Sequence, residues 1–142
     1  MKIFSQDNYK KLELVYEALE SLWGSMSRPC DACGWCCHFD QAEHRLYTSS
    51  LELSWLLQKY PLDNKPINDT CPFLVDNKCQ ARERRMLGCR TFFRQHNSQE
   101  KEKAESLYED CLNKIKAIYQ DEGLDWEYRD LMPWLKEEFE KK

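Results

Sequence analysis

Cys30-Asp31-Ala32-Cys33-Gly34-Trp35-Cys36-Cys37 is the stretch on which the reading of this chain turns. Four of the eight cysteines stand in these eight residues. Three more follow at Cys71, Cys79 and Cys89, and only Cys111 lies apart. Thiolates two residues apart can converge on one metal ion, because a tight turn folds back over so short a distance. Buried free thiols would be the bland account, but four in one turn gain nothing as small apolar filler.

The compartment decides how such a cluster is read. The first residues, Met1-Lys2-Ile3-Phe4-Ser5-Gln6-Asp7, turn polar at once and hold no signal-peptide core. No apolar run is long enough to span a membrane. The expectation is a cytoplasmic protein, whose thiols stay reduced. There, clustered cysteines point to metal or redox chemistry rather than to a disulfide framework.

With 142 residues the chain is expected to form a single domain, 1–142. The cysteine-cluster core takes 30–93, flanked by helices in 5–24 and 98–140. A net charge of −4 argues against general polyanion binding. A nucleic-acid partner is therefore not expected. A protein partner is left open, and no membrane association is expected.

Hydrophobic spacing places the flanking helices. Leu12, Val15, Leu19 and Leu22, with Ala18 beside them, predict an amphipathic helix over 5–23, stopped by Gly24. A linker, 25–29, leads into the cluster, and 30–39 reads as turns. A short strand is expected within 38–47. Ser49 followed three residues later by Glu52 is a capping box, opening a helix whose buried face is Leu53, Leu56, Leu57 and Tyr60. Pro61 ends that helix, and a polar loop runs to Thr70.

Residues 71–79 predict a small hairpin about Asp76-Asn77, bringing Cys71 and Cys79 towards each other from opposite arms. A long helix is expected over 98–120, with Asn97 as N-cap and Glu100 completing the box. Ala104, Leu107, Cys111, Ile115 and Ile118 line one of its faces, and Gly123 closes it. A short helix over 132–140 tolerates Pro133 in its first turn. The fold class expected is α+β, mostly α, with helices around an irregular cysteine-rich metal centre and a short β-hairpin.

Cys30-x-x-Cys33-x-x-Cys36 matches the first three ligands of a bacterial-type [4Fe–4S] run. The usual fourth cysteine is missing, since position 40 is Asp40. A fourth ligand would come from Cys37, Cys71, Cys79 or Cys89. Cys30, Cys33, Cys36, Cys37, Cys71, Cys79 and Cys89 are the candidate metal ligands. They suit an iron–sulfur cluster or Zn²⁺, for both accept tetrahedral sulfur. Cys111 reads first as a buried structural thiol on a helix face, with an extra metal ligand as its second reading. His38 is a candidate ligand or ligand partner, with an exposed turn residue as its plainer reading. Arg82, Arg84, Arg85, Arg90 and Arg94 crowd the last two cluster cysteines. Their first reading is to offset the negative charge of a thiolate–metal centre. A face for an anionic partner, with stacking on Phe92 and Phe93, is the second.

The order Cys30-x-x-Cys33-Gly34-x-Cys36-Cys37, then Cys71-Pro72-Phe73-Leu74 with Cys79, then Cys89-Arg90-x-Phe92, resembles the YkgJ-like cysteine-cluster proteins. The likeness covers 30–93. Thr48 and Glu52 also sit where that family tends to open a helix with Thr and Glu. The chain departs from the family at Ala81-Arg82, where an Ile-Tyr pair is common, and at Arg85-Met86, where Arg-Pro is common. The resemblance implies a domain that chelates zinc or iron. It also implies kinship with larger proteins similar to flagellin lysine methylases, in which an iron–sulfur centre is implicated.

Three functions remain in view on sequence. The first is an iron–sulfur protein, most simply [4Fe–4S], in a redox or accessory role. The second is a structural zinc module for partner binding. The third is a protein-modifying, methylase-like enzyme component. No acid–base or nucleophile constellation and no glycine-rich phosphate loop stands out, and no catalytic residue is assigned.

Overall fold

The structure is a computed structural model, and it describes residues 4–23, 46–62, 71–75, 78–91 and 98–140. Helix α1 spans Gln6–Trp23. Strand β1, Tyr47–Ser49, runs directly into α2, Ser50–Lys59. Strands β2, Leu74–Val75, and β3, Lys78–Cys79, form a minimal hairpin. A 3-10 turn at Arg82–Arg84 precedes the five-residue helix α3, Leu87–Thr91. Helix α4, Ser98–Asp121, is the longest element. Strand β4, Tyr128–Asp130, leads into α5, Leu131–Glu140. The class is the expected one, mostly helical α+β.

Helix α1 packs on α4, and both pack on neighbours of the chain's middle. The periodicity that predicts α1 also explains its buried stripe: Leu12, Val15 and Leu19 are buried, joined by Tyr9 and Tyr16. Leu22 is a correction to the expected face. It is 50% exposed, whereas Leu19, one turn earlier, is fully buried, so the buried stripe ends before the helix does. On α4 all five expected positions, Ala104, Leu107, Cys111, Ile115 and Ile118, are buried.

The end of α4 shows why Gly123 stands there. It adopts φ 65°, which a side chain resists. Its N–H donates to the Gln120 carbonyl (3.2 Å), and that of Leu124 to the Tyr119 carbonyl (2.8 Å). This is the Schellman pattern, and it satisfies carbonyls the helix leaves open.

Two cores result. The first gathers α1, α4, Leu51 and Trp55 of α2, and Leu87 of α3. The second gathers Leu46, Leu53, Leu56, Leu62, Cys71, Phe73, Ala81 and Met86 with Leu131, Met132, Trp134 and Leu135. Helix α2 is thus buried on two faces and forms the wall between them. Its predicted face holds for Leu53 and Leu56, while Leu57 and Tyr60 pack at the margin.

Strand β1 pairs antiparallel with β4, Thr48 opposite Arg129, tying α2 and α5 together at their starts. The Leu131 N–H donates to the Leu46 carbonyl (2.7 Å) and extends this pairing. In the hairpin Leu74 stands opposite Cys79 and Val75 opposite Lys78. The expected Asp76-Asn77 turn, the Gly24 stop, the 25–29 linker, the 30–39 turns and the Asn97 cap lie outside the described residues. So does the 38–45 part of the expected strand, which begins in the structure at Tyr47.

Candidate metal centre and its supporting network

The candidate ligands divide by location. Cys30, Cys33, Cys36 and Cys37 lie outside the described residues, as do His38, Arg94, Phe92 and Phe93. Cys71, Cys79 and Cys89 are thiols, and all three belong to the second core. Cys71 is buried, while Cys79 and Cys89 sit at the core margin with part of their surface exposed. They reach it from the start of the hairpin, its return strand and α3. Among the described residues no three His, Cys, Asp or Glu side chains stand close enough to share an ion. A complete four-thiolate set would therefore draw on the cysteines of 30–37.

Cys111 belongs elsewhere. It is a buried thiol in the first core, among the residues of α1 and α4. Burial pushes its pKa up, which favours the neutral thiol over a ligating thiolate.

Local sequence explains how Cys89 is held. Helix α3 is too short to stand by itself. Its backbone is fastened from both ends. The Arg90 N–H donates to the Met86 carbonyl (3.1 Å), and the Thr91 hydroxyl to the Leu87 carbonyl (2.9 Å). The Leu87 N–H donates to Glu52 Oε1 on α2 (2.7 Å). A Cβ added at Gly88 would collide with Leu46 Cδ1, so glycine lets α3 seat against the start of β1.

Glu52 is the hub of this arrangement. It is 1% exposed, although it is a carboxylate. The expected capping box is present, with Ser49 Oγ accepting from the Glu52 N–H (3.3 Å) and Glu52 Oε2 accepting from the Ser49 N–H (3.1 Å). Oε2 also accepts from the Ser49 hydroxyl at 2.8 Å and lies 3.4 Å from that of Thr48. Oε1 accepts from the Tyr16 phenol of α1 at 2.6 Å and from Leu87 N–H. Every partner is a donor, and together they fill the lone pairs that two carboxylate oxygens offer.

Tyr16 links that hub to Arg90. The Arg90 guanidinium lies over the Tyr16 ring, 4.0 Å from its centroid. Burial drives the Tyr16 pKa well above that of an ordinary phenol, and the nearby Glu52 charge adds to the rise. Arg90 itself has a side chain only 8% exposed. Its Nε donates to the Arg85 carbonyl (2.7 Å) and its Nη2 to the Glu83 carbonyl (3.1 Å). Among the described residues its carboxylate contact is Glu20, at 3.4 Å. Burial lowers the Arg90 pKa, while Tyr16, Glu20 and Cys89 act in the opposite direction.

The other arginines are built into the structure differently. Arg84 Nη1 donates to the Trp55 carbonyl (2.7 Å) and lies within 3.2 Å of Gln58 Oε1, and the guanidinium covers the Trp55 ring. Arg85 Nε donates to the Arg82 carbonyl (3.0 Å). A cavity of about 570 Å³ opens beside Arg90 and Tyr16, with Glu13, Glu17, Glu20 and Trp55 among its walls.

Sequence reasoning found the cysteines, the arginine cluster and the capping box. It missed Glu52 as a link between α1, α2 and α3, and it missed Tyr16. A signal was present, since a Tyr inside the apolar stripe of α1 needs a buried partner for its hydroxyl. The comparisons add nothing to this reading: no family model, curated protein or solved structure matches the chain. No helix among the described residues is long and apolar enough to cross a membrane.

Proposed function

We propose that this protein binds a metal through its cysteine cluster, carried as a [4Fe–4S]-type iron–sulfur centre in a redox or accessory role. The observation that carries the reading is the Cys30-x-x-Cys33-x-x-Cys36-Cys37 run of the sequence. The sharing of one small core by Cys71, Cys79 and Cys89, with Arg90 buried beside Cys89, supports it. Burying a guanidinium is costly, and a thiolate–metal centre of net negative charge would offset it. The donor set is all sulfur, which suits iron–sulfur clusters and zinc. The Cys30-x-x-Cys33-x-x-Cys36 spacing supports iron–sulfur. The YkgJ-like motif order supports metal chelation in general.

A structural zinc module is the second reading, favoured by the second core itself. Two-residue strands and a five-residue helix carry little stability of their own. A metal drawing them together would contribute folding free energy directly. Anaerobic purification followed by metal and sulfide analysis, with an absorption spectrum of the same sample, separates the two. About four irons with matching sulfide and broad absorbance near 400 nm are expected. Stoichiometric zinc in a colourless protein would replace the first reading by the second. A protein with neither metal would overturn both.

A further inference from the structure

Glu52 is more deeply committed than a helix cap requires. A capping box works at a solvent-exposed helix end and contributes about 1 kcal/mol. Here the capping carboxylate is buried and reaches beyond its own helix to α1 and α3. Burying a carboxylate carries a desolvation penalty that α2 alone does not need to incur. The extra contacts share one destination. Oε1 holds the Leu87 N–H, two residues before Cys89. Oε1 also holds Tyr16, whose ring carries the guanidinium of Arg90, the residue after Cys89. Both flanks of Cys89 are thus fixed by one carboxylate oxygen. Gly88 completes the seat by its close approach to Leu46.

We propose that Glu52 is the positioning residue of the metal centre, orienting the Cys89 thiolate through Leu87 on one side and through Tyr16 and Arg90 on the other. The inference rests on the metal-binding reading above. A fully satisfied buried network of this kind holds one geometry and resists alternatives. Groups that orient metal ligands without touching the metal commonly change affinity by about 10- to 100-fold when mutated. The hairpin cysteine Cys71 has no such link to Glu52 among the described contacts, and this supplies a control.

The test is a double-mutant cycle read by Co²⁺ binding, whose thiolate charge-transfer and d–d bands report affinity and geometry together. Co²⁺ is titrated into chelator-treated wild type, Glu52→Gln, Cys89→Ser, Cys71→Ser and the two Glu52→Gln double variants. Glu52→Gln keeps the side-chain size but turns an NH₂ group towards donors. It is expected to weaken Co²⁺ binding by about 10-fold and to alter the d–d bands. That loss should vanish in the Cys89→Ser background and persist in the Cys71→Ser background. Tyr16→Phe, which keeps the ring under Arg90, is expected to give a smaller loss, about 3-fold. It carries the test if Glu52→Gln does not fold. Equal losses in both cysteine backgrounds, or unchanged Co²⁺ binding with only a lower melting point, would overturn the positioning role while leaving metal binding intact. For Tyr16→Phe alone, wild-type affinity and bands would do the same. A wild type that binds no Co²⁺ and is isolated without metal would overturn the metal reading, and this inference with it.

Discussion

The two cores are built on opposite principles. The first is made of two long helices, α1 and α4, whose apolar residues recur at helical spacing and interlock along their length. The second is assembled from short pieces, including a hairpin of two-residue strands and a five-residue helix, and it holds three of the candidate ligands. Helix packing stabilises the first mainly by burial. The second has little local structure to lean on, and a cross-link of some kind suits it. On the proposed metal reading, the difference teaches where a metal would contribute: not to the chain as a whole, but to the half whose elements are too short to hold themselves.

Ile115→Ala puts the largest strain on this contrast. Ile115 is fully buried in the first core, and truncation leaves a cavity there. A loss of about 2–5 kcal/mol is expected in urea unfolding. The account expects the same loss with metal bound and with metal chelated. A loss that depends on metal would mean that the two cores are not separable.

Tyr119→Phe probes the seam between them. The Tyr119 hydroxyl accepts from the Leu51 N–H (2.6 Å) and pairs with the Ser50 hydroxyl (2.6 Å) at the start of α2. Its ring packs on Phe4 and Trp126. The substitution keeps the ring and leaves a buried amide without its partner. A loss of about 1–2 kcal/mol by urea unfolding is expected. No measurable change would show that water replaces the hydroxyl and that the seam is wet.

Tyr128, on β4, sharpens the comparison by spectroscopy. It contacts Tyr47 and Trp126, and its hydroxyl meets that of Tyr108. Burial pushes its pKa up to about 12. Near pH 9 and below, the phenol is protonated in the folded and unfolded states alike. Between about pH 10 and 12 the unfolded chain releases this proton first, so the contribution to stability falls as pH rises through that window. Absorbance titration near 295 nm should show a late tyrosine wave, shared with buried Tyr16, whose amplitude Tyr128→Phe lowers. Ordinary titration of every tyrosine, with no late wave, would contradict the packing at β4.

The first core was largely legible in the sequence, and the second only in part: the 71–79 hairpin, the Leu53 and Leu56 face and the helix over 132–140 are found, whereas the β1–β4 pairing and α3 were not expected. Helix α4 is expected over 98–120 and observed as Ser98–Asp121. The Ser49 and Glu52 capping box is found with both of its hydrogen bonds. Long helices announce themselves because many residues repeat one period. Leu22 misled because periodicity states which side faces a core, not where the core ends. The pairing of β1 with β4 joins Thr48 to Arg129 across about half the chain, and three-residue strands have too few positions to show alternation. Helix α3 was hidden within an arginine-rich run, since its contacts come from α4, β1 and the Glu52 side chain of α2 rather than from its own spacing. For the site, residue types were legible and their supports were not. The cysteines are visible as a motif, whereas the reach of Glu52 to Tyr16 and Leu87 exists only in the folded chain.

Hydrogen exchange followed by mass spectrometry, on the metal-loaded protein and after anaerobic chelation, tests the central claim most directly. The account predicts that chelation speeds exchange by at least an order of magnitude in peptides covering β2, β3 and α3, while those from α1 and α4 keep their protection. Uniform loss across all five elements, or unchanged exchange at β2, β3 and α3, would contradict it.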